Sequence, residues 1–306
     1  MVKSSEFGGF ITVLVAGVVA LGGLFVLKKY GGNLGGILGG GSSGSDNGGG
    51  GGGSSDSGGG GSSSGGGGGS SANPGQAITI CTAGDWGSGR NSTWQATVNT
   101  MAKEKPNVVV DLGDKSYSGG VPKWTPVVTA VKKFAKFFGV QGNHDGSGYS
   151  SGMDAYSNSV QNFGDCSFML LDTENGSGSI TFAKANFAKM TQKWKFVCFH
   201  KPIKTPASKH APDEGKIKAL MPEFEKAKIN MVLSGHNHLY ARFAPVNGVT
   251  YMVVGTGGES HYSGSGGGAL KVDAKTFGCL VIKTGGSLQC KFVSNAGATV
   301  DSFSIS

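Results

Sequence analysis

The sequence predicts an α/β fold, and three observations carry that reading. Strand-like and helix-like runs alternate from residue 77 onward. The strand-like runs are short, apolar and rich in β-branched residues. Polar residues recur where an apolar run stops, which is how an α/β sheet presents side chains from the carboxyl ends of its strands.

Taken in order, residues 77–83 read as an apolar strand that ends in Gly84-Asp85-Trp86-Gly87. Residues 92–104 read as a helix, with Ser92 as its cap. The β-branched run at 107–112 reads as a buried strand, and 134–140 as another that runs into Gly142-Asn143-His144-Asp145. A strand at 166–171, a helix at 182–192 and a strand at 195–199 lead to His200. A helix at 213–228 and a strand at 229–233 lead to Gly235-His236-Asn237-His238. Short strands with Gly-rich turns follow at 250–254, 269–272, 280–283, 288–293 and 300–305.

Three segments are expected. Residues 1–30 form a membrane-anchor helix, because 7–27 carry no charge and at ~1.5 Å per residue nearly match a ~30 Å hydrocarbon core. A cleaved signal is the rival, with Val18-Val19-Ala20 as its cleavage site, and a hydrophobic assembly helix is the third reading. The apolar run continues to Leu27, however, and Lys28-Lys29 closes it as an interfacial anchor would. Lys28-Lys29 outweigh Lys3 by one lysine, against which the terminal amine also counts, so the side holding the rest of the chain stays open. Cleavage would make the protein secreted. Residues 31–76 are almost wholly Gly and Ser and form a flexible linker with nothing to bury. Residues 77–306 form the catalytic domain, large enough for a real core.

The net charge of +8 is spread over helices and loops without a dense basic run or interleaved aromatics, so no specific nucleic-acid binding is expected. The five cysteines are odd in number and lack metal-type spacing. Cys81 and Cys198 read as small buried hydrophobes, whereas Cys279 and Cys290 flank a turn where pairing stays open.

An Asp after a strand is by itself usually a turn or cap residue. Here Asp85, Asp114, Asn143, His200 and the His236-x-His238 pair close five different strands. Five of the six histidines (His144, His200, His210, His236, His238) lie in or beside those strand ends, with His261 left over. That convergence points to a metal site.

The order Gly84-Asp85, Gly113-Asp114-x-x-Tyr117, Gly142-Asn143-His144-Asp145, Val197-x-x-His200, Gly235-His236-x-His238 resembles the five blocks of the calcineurin-like metallophosphoesterases. Gly87 stands where most relatives carry a histidine, and Tyr117 follows Asp114 by three, so the chain most resembles the small, single-domain purple acid phosphatases. The resemblance implies a four-layer αββα sandwich. It also implies a ferric ion on Asp85, Asp114, Tyr117 and His238, with Asp114 bridging to a divalent ion, Fe(II), Zn(II) or Mn(II), on Asn143, His200 and His236. Ions ~3.5–4 Å apart would hydrolyse a phosphate monoester by attack of a metal-bound hydroxide. His144 and His210 match the family's two outer histidines, His144 to hold the phosphate and His210 to protonate the leaving alkoxide. Asn143 would help bind substrate, and Asp145 either orients His144 or serves a turn. Lys201, Lys204 and Lys209 share the His210 loop and receive no role. The expected partners are thus a phosphate ester and, through residues 7–27, a lipid bilayer. The alternatives are a phosphodiesterase or nucleotide hydrolase on the same core, or a membrane- or particle-displayed structural protein with a vestigial site.

Overall fold

The computed structural model describes residues 71–117, 125–146 and 148–306. The expected anchor at 1–30 and nearly all of the linker at 31–76 lie outside the described residues. Among the described residues, no helix is long and apolar enough to cross a membrane.

Two mixed sheets form the frame. The first holds six strands in the order β13-β12-β11-β1-β2-β3: β1 (Thr79–Ala83), β2 (Val108–Asp111), β3 (Lys136–Gly139), β11 (Gly278–Lys283), β12 (Leu288–Ser294) and β13 (Thr299–Ile305). The second holds seven in the order β10-β8-β9-β7-β6-β5-β4: β4 (Ser159–Phe163), β5 (Cys166–Leu170), β6 (Trp194–Phe199), β7 (Met231–Ser234), β8 (Tyr240–Phe243), β9 (Thr250–Val254) and β10 (Ala269–Asp273). In the seven-stranded sheet a parallel centre (β5-β6-β7-β9) is flanked by antiparallel strands, whereas in the six-stranded sheet parallel β1-β2-β3 form one side and antiparallel β11-β12-β13 the other.

Hydrophobic alternation sorts side chains into two cores. Phe168, Leu170, Phe196 and Cys198 join the six-stranded sheet's residues in one, while Met169, Val197 and Phe199 join the other. Helix α1 (Thr93–Lys103) packs on β11 and β12, and α2 (Thr125–Val131) packs on α1 and β3. Ala183 of α3 (Gly176–Asn186) and Phe224 of α4 (Met221–Lys226) cover the other face of the seven-stranded sheet. Parallel strands buried on both sides read as continuous apolar runs, which is why Val108-Val109-Val110 shows no alternation.

Several expectations are corrected. The helix expected at 182–192 is α3 at 176–186 followed by a 3-10 turn, Phe187–Lys189. Its start is hidden among Gly and Ser, yet Asn175 caps it by accepting the Gly178 N–H at 3.2 Å. The helix expected at 213–228 shrinks to the 3-10 turn Lys218–Leu220 and α4. Asp213 Oδ1 accepts the N–H groups of Ile217 (2.9 Å) and Lys218 (2.8 Å), a local turn that competes with helix. Ser92 occupies the cap position of α1 without a side-chain bond; Asn91 Oδ1 instead accepts the Thr93 N–H at 2.9 Å. Helix α2 and strands β4 and β8 were not anticipated. All five cysteines are free and buried. Cys279 faces Val293 and Cys290 faces Ile282 across the ladder, so the turn does not pair them.

Candidate metal centre

Each candidate side chain stands just beyond a strand. Asp85 follows β1, Asp114 and Tyr117 follow β2, Asn143 and His144 follow β3, His200 follows β6, and His236 and His238 follow β7. Asp85, Asp114 and His236 adopt left-handed backbone, with φ of 60°, 53° and 66°. Non-glycine residues avoid that region unless their surroundings hold them there, and such strain clusters at functional sites. Gly113 makes the closest approach possible: a Cβ there would lie 2.7 Å from His200 Nδ1.

Two groups result. In the first, the Tyr117 hydroxyl donates to Asp85 Oδ1 at 2.9 Å and lies 2.8 Å from His238 Nε2. In the second, His200 Nε2 lies 3.3 Å from Asp114 Oδ2, 3.1 Å from Asn143 Oδ1 and 3.2 Å from His236 Nδ1. The His236 N–H joins the groups by donating to Asp85 Oδ2 at 2.8 Å. All seven residues expected to hold metal are therefore brought together.

The outer hydrogen bonds set the tautomers. His238 Nδ1 faces the Ser260 carbonyl at 2.7 Å, and His200 Nδ1 faces the Leu112 carbonyl at 2.7 Å. A carbonyl only accepts, so both Nδ1 atoms carry hydrogen and both Nε2 lone pairs point inward. His236 is reversed: Nε2 donates to Glu214 Oε2 at 2.9 Å and Nδ1 points inward. Were all three imidazoles neutral, lone pairs would face each other and the Asp114 carboxylate, an arrangement that calls for a cation between them, whether a proton or a metal ion. Asp114, His200 and His236 are grouped tightly enough to share one ion. The donor set fits: carboxylate and phenol oxygens with one imidazole in the first group, and imidazoles, amide and carboxylate in the second.

The electrostatics of the site make the same demand. Burial would raise Asp114, but the charge of His200 and the His144 N–H, at 2.7 Å, hold it well below the usual carboxylate range. Burial would lower His200, yet Asp114 raises it to about 10, a proton standing where a cation would compensate. Burial and the neighbouring His200 push His236 down to about 4. Burial and the Asp85 charge push the Tyr117 phenol well up. Without a cation it stays protonated.

The outer residues divide. His210 is half-buried, its ring 4.1 Å from that of His236 and its Nδ1 3.5 Å from Glu214. The exposed His144 ring lies 4.5 Å from the Tyr117 ring, at the mouth. Asp145 does not bond the His144 ring. Its Oδ2 accepts the N–H groups of Gly142 and Asp114, both at 3.0 Å, and its Oδ1 accepts that of Lys115 at 2.9 Å. Lys201 pairs with Glu174 at 2.8 Å and Lys204 covers the Phe243 ring. Lys209 donates to the Tyr262 hydroxyl at 3.1 Å. His261 packs against Phe277.

Sequence reading missed Glu214 and Tyr262. The Tyr262 ring stacks on His238 at 4.0 Å and 18°. Glu214 links His210 to His236, but in sequence it is one acid in a charged loop, and only its spacing of four from His210 offered a signal.

The model of the calcineurin-like phosphoesterases matches residues 78–240. No curated protein sequence matches. Among solved structures, purple acid phosphatase PPD1 from yellow lupin (Lupinus luteus) seeds is 20% identical with a TM-score of 0.65, over 77% of this chain and 55% of that one. The chain thus spans about half of that enzyme's length. GAP50 of Plasmodium, described as the anchor in the inner membrane complex, is 16% identical with a TM-score of 0.60, over 75% of this chain and 89% of that one. A dimetal phosphatase from Danio rerio is 11% identical with a TM-score of 0.53, over 76% of this chain and 99% of that one. At these identities the neighbours speak for the fold alone; the match over residues 78–240, more than half of the sequence, shows that this chain belongs to the calcineurin-like phosphoesterase family.

Proposed function

We propose that the chain is a binuclear metal-dependent acid phosphatase of the purple type, acting on phosphate monoesters. One observation carries the reading: the Tyr117 phenol sits between Asp85 and His238, beside the Asp114, Asn143, His200 and His236 group. A phenolate and two carboxylates suit a trivalent iron, whereas an amide and two imidazoles suit Fe(II), Zn(II) or Mn(II). Ions held there supply Lewis acidity to the phosphoryl oxygens and lower the pKa of the attacking water.

The chain's own groups do the rest. Asp114, beside His200, would help hold the divalent ion and, as the resemblance implies, would serve the iron as well. Asn143 and His144 would hold an incoming phosphate oxygen, and His210, beside His236, would give a proton to the leaving alkoxide. Glu214 keeps Nε2 of His236 protonated so that Nδ1 faces inward.

Metal analysis of the full chain, with rates on mono- and bis-p-nitrophenyl phosphate across pH, tests the reading. Two metal ions per chain, iron among them, a pink to purple colour and faster monoester turnover are expected. A full iron complement without a visible band would refute the purple assignment, and faster diester turnover would refute the monoester one. Tethering to a bilayer is supported by the uncharged run at 7–27 and accords with the anchor role described for the Plasmodium neighbour. Recovery of the full chain only in the salt-washed soluble fraction would count against it.

A further inference from the structure

Beneath the metal centre lies a charged side chain that the proposed reaction does not use. Lys115 is wholly buried, and its Nζ donates to Asp111 Oδ2 at 2.8 Å and to Asp145 Oδ2 at 2.9 Å. The Tyr149 ring lies 5.3 Å from the ammonium. Both contacts are of hydrogen-bond length, with the ammonium as donor and the carboxylates as acceptors.

Each carboxylate grips a different set of N–H donors. Asp111 Oδ1 accepts the Trp86 indole N–H at 2.7 Å and the Gly113 N–H at 3.1 Å. It thereby reaches the loop that carries Asp85. Asp145 takes the N–H groups of Gly142, Asp114 and Lys115, as described above, and so joins the loops that carry Asn143 and Asp114. The three loops leave neighbouring parallel strands, and two of them hold a residue at positive φ that would relax if released.

We infer that Lys115 is a positioning residue: its ammonium bridges Asp111 and Asp145 and so locks the loops bearing Asp85, Asp114 and Asn143 in the spacing a metal pair requires. The geometry is selective, because one cation bridges the two carboxylates while each keeps its own further donors. A fully buried lysine between two acids, one of them clamping three amides, has little purpose as a surface or solubility device. The link to metal rests on the proposed function; the link between the loops does not.

The test uses the full chain, stripped of metal, in two measurements. Hydrogen exchange reads the loops directly, and Zn2+ titration reads the centre. In Lys115→Met, exchange in residues 84–88, 112–117 and 141–146 is expected to rise at least tenfold, while β6 and β7 keep wild-type protection. Zn2+ affinity should fall ~10–100-fold, as for loss of an outer partner. Equal loosening of all strands would reduce Lys115 to a general stability residue, and unchanged loops would remove the inference altogether. Asp111→Asn retains the Lys115–Asp145 pair and decides the matter if the methionine variant does not fold. It should loosen residues 84–88 and spare 141–146; loosening of both, or of neither, would overturn the relay. A wild-type chain that binds no Zn2+ would refute the proposed function, while the exchange data would still judge the relay.

Discussion

Two charged clusters in this molecule are built to opposite ends. At one edge, Asp301 of β13 accepts from the Tyr240 hydroxyl (2.8 Å), Arg242 Nε (2.8 Å) and the second Arg242 nitrogen (3.1 Å) of β8. The Arg242 guanidinium also covers Phe303, and Tyr240 stacks on Phe292 at 4.2 Å. This staple joins the two sheets with one anion and one cation, both Asp301 oxygens accepting from Arg242. At the strand ends, Asp85 and Asp114 instead crowd against three imidazoles, with no lysine or arginine among the described residues paired to either carboxylate. The difference teaches how to read buried charge: a balanced cluster holds parts together, and an unbalanced one waits for a ligand.

Substitutions can break or sharpen that contrast. The largest effect belongs to His236→Ala, which removes both the inward Nδ1 and the bond to Glu214. Turnover should fall by more than the ~100-fold that loss of an outer partner costs, with loss of the divalent ion on metal analysis; normal activity would overturn the ligand assignment. Glu214→Gln leaves every inward donor in place. It should weaken divalent-metal affinity ~10–100-fold in a titration while unfolding stability stays near wild type. Tyr117→Phe should bleach the visible band of iron-loaded protein and leave circular dichroism unchanged. Retention of the band would exclude the phenol as its source.

The staple should show the reverse. Asp301→Asn is expected to lower unfolding stability by about 2 kcal/mol near neutral pH, with kcat and metal content unaltered. Burial would raise the Asp301 pKa, but hydrogen bonds from Arg242 and Tyr240 lower it below the ordinary carboxylate value. Its contribution is therefore full above the unfolded-state pKa of about 3.9 and is lost as pH falls through the folded value. Denaturant titrations at pH 7 and near pH 2 should show the gap between wild type and variant closing on the acid side. A gap that persists in acid would show that shape, not charge, holds the edge.

Much of the centre was legible in the sequence because it is written at strand ends. Strands such as Thr250–Val254 carry a dense apolar signal, and the polar residue that ends each run stands out against it. What stayed hidden depends on tertiary placement. Glu214 matters only because its loop folds back onto His236, and Asp145 serves backbone amides rather than its neighbour's ring. Strand β4 (Ser159–Phe163) is a half-exposed edge with weak hydrophobic contrast, and α3 begins in glycine and serine that read as loop. Strand β8 follows the His236-x-His238 block so closely that site residues masked its start.

The two-faced burial of the central strands bears on how the chain finds its fold. Moving β6 by one residue would merely exchange Phe196 and Cys198 for Val197 and Phe199, one apolar set for another. Hydrophobic pattern alone therefore does not distinguish neighbouring alignments of this sheet. Its punctuation does: Lys195 and Asn230 open β6 and β7 with a bond of 2.8 Å, and His200 and Gly235 close them with another of 3.0 Å. A histidine of the candidate metal centre thus also marks where its strand must stop.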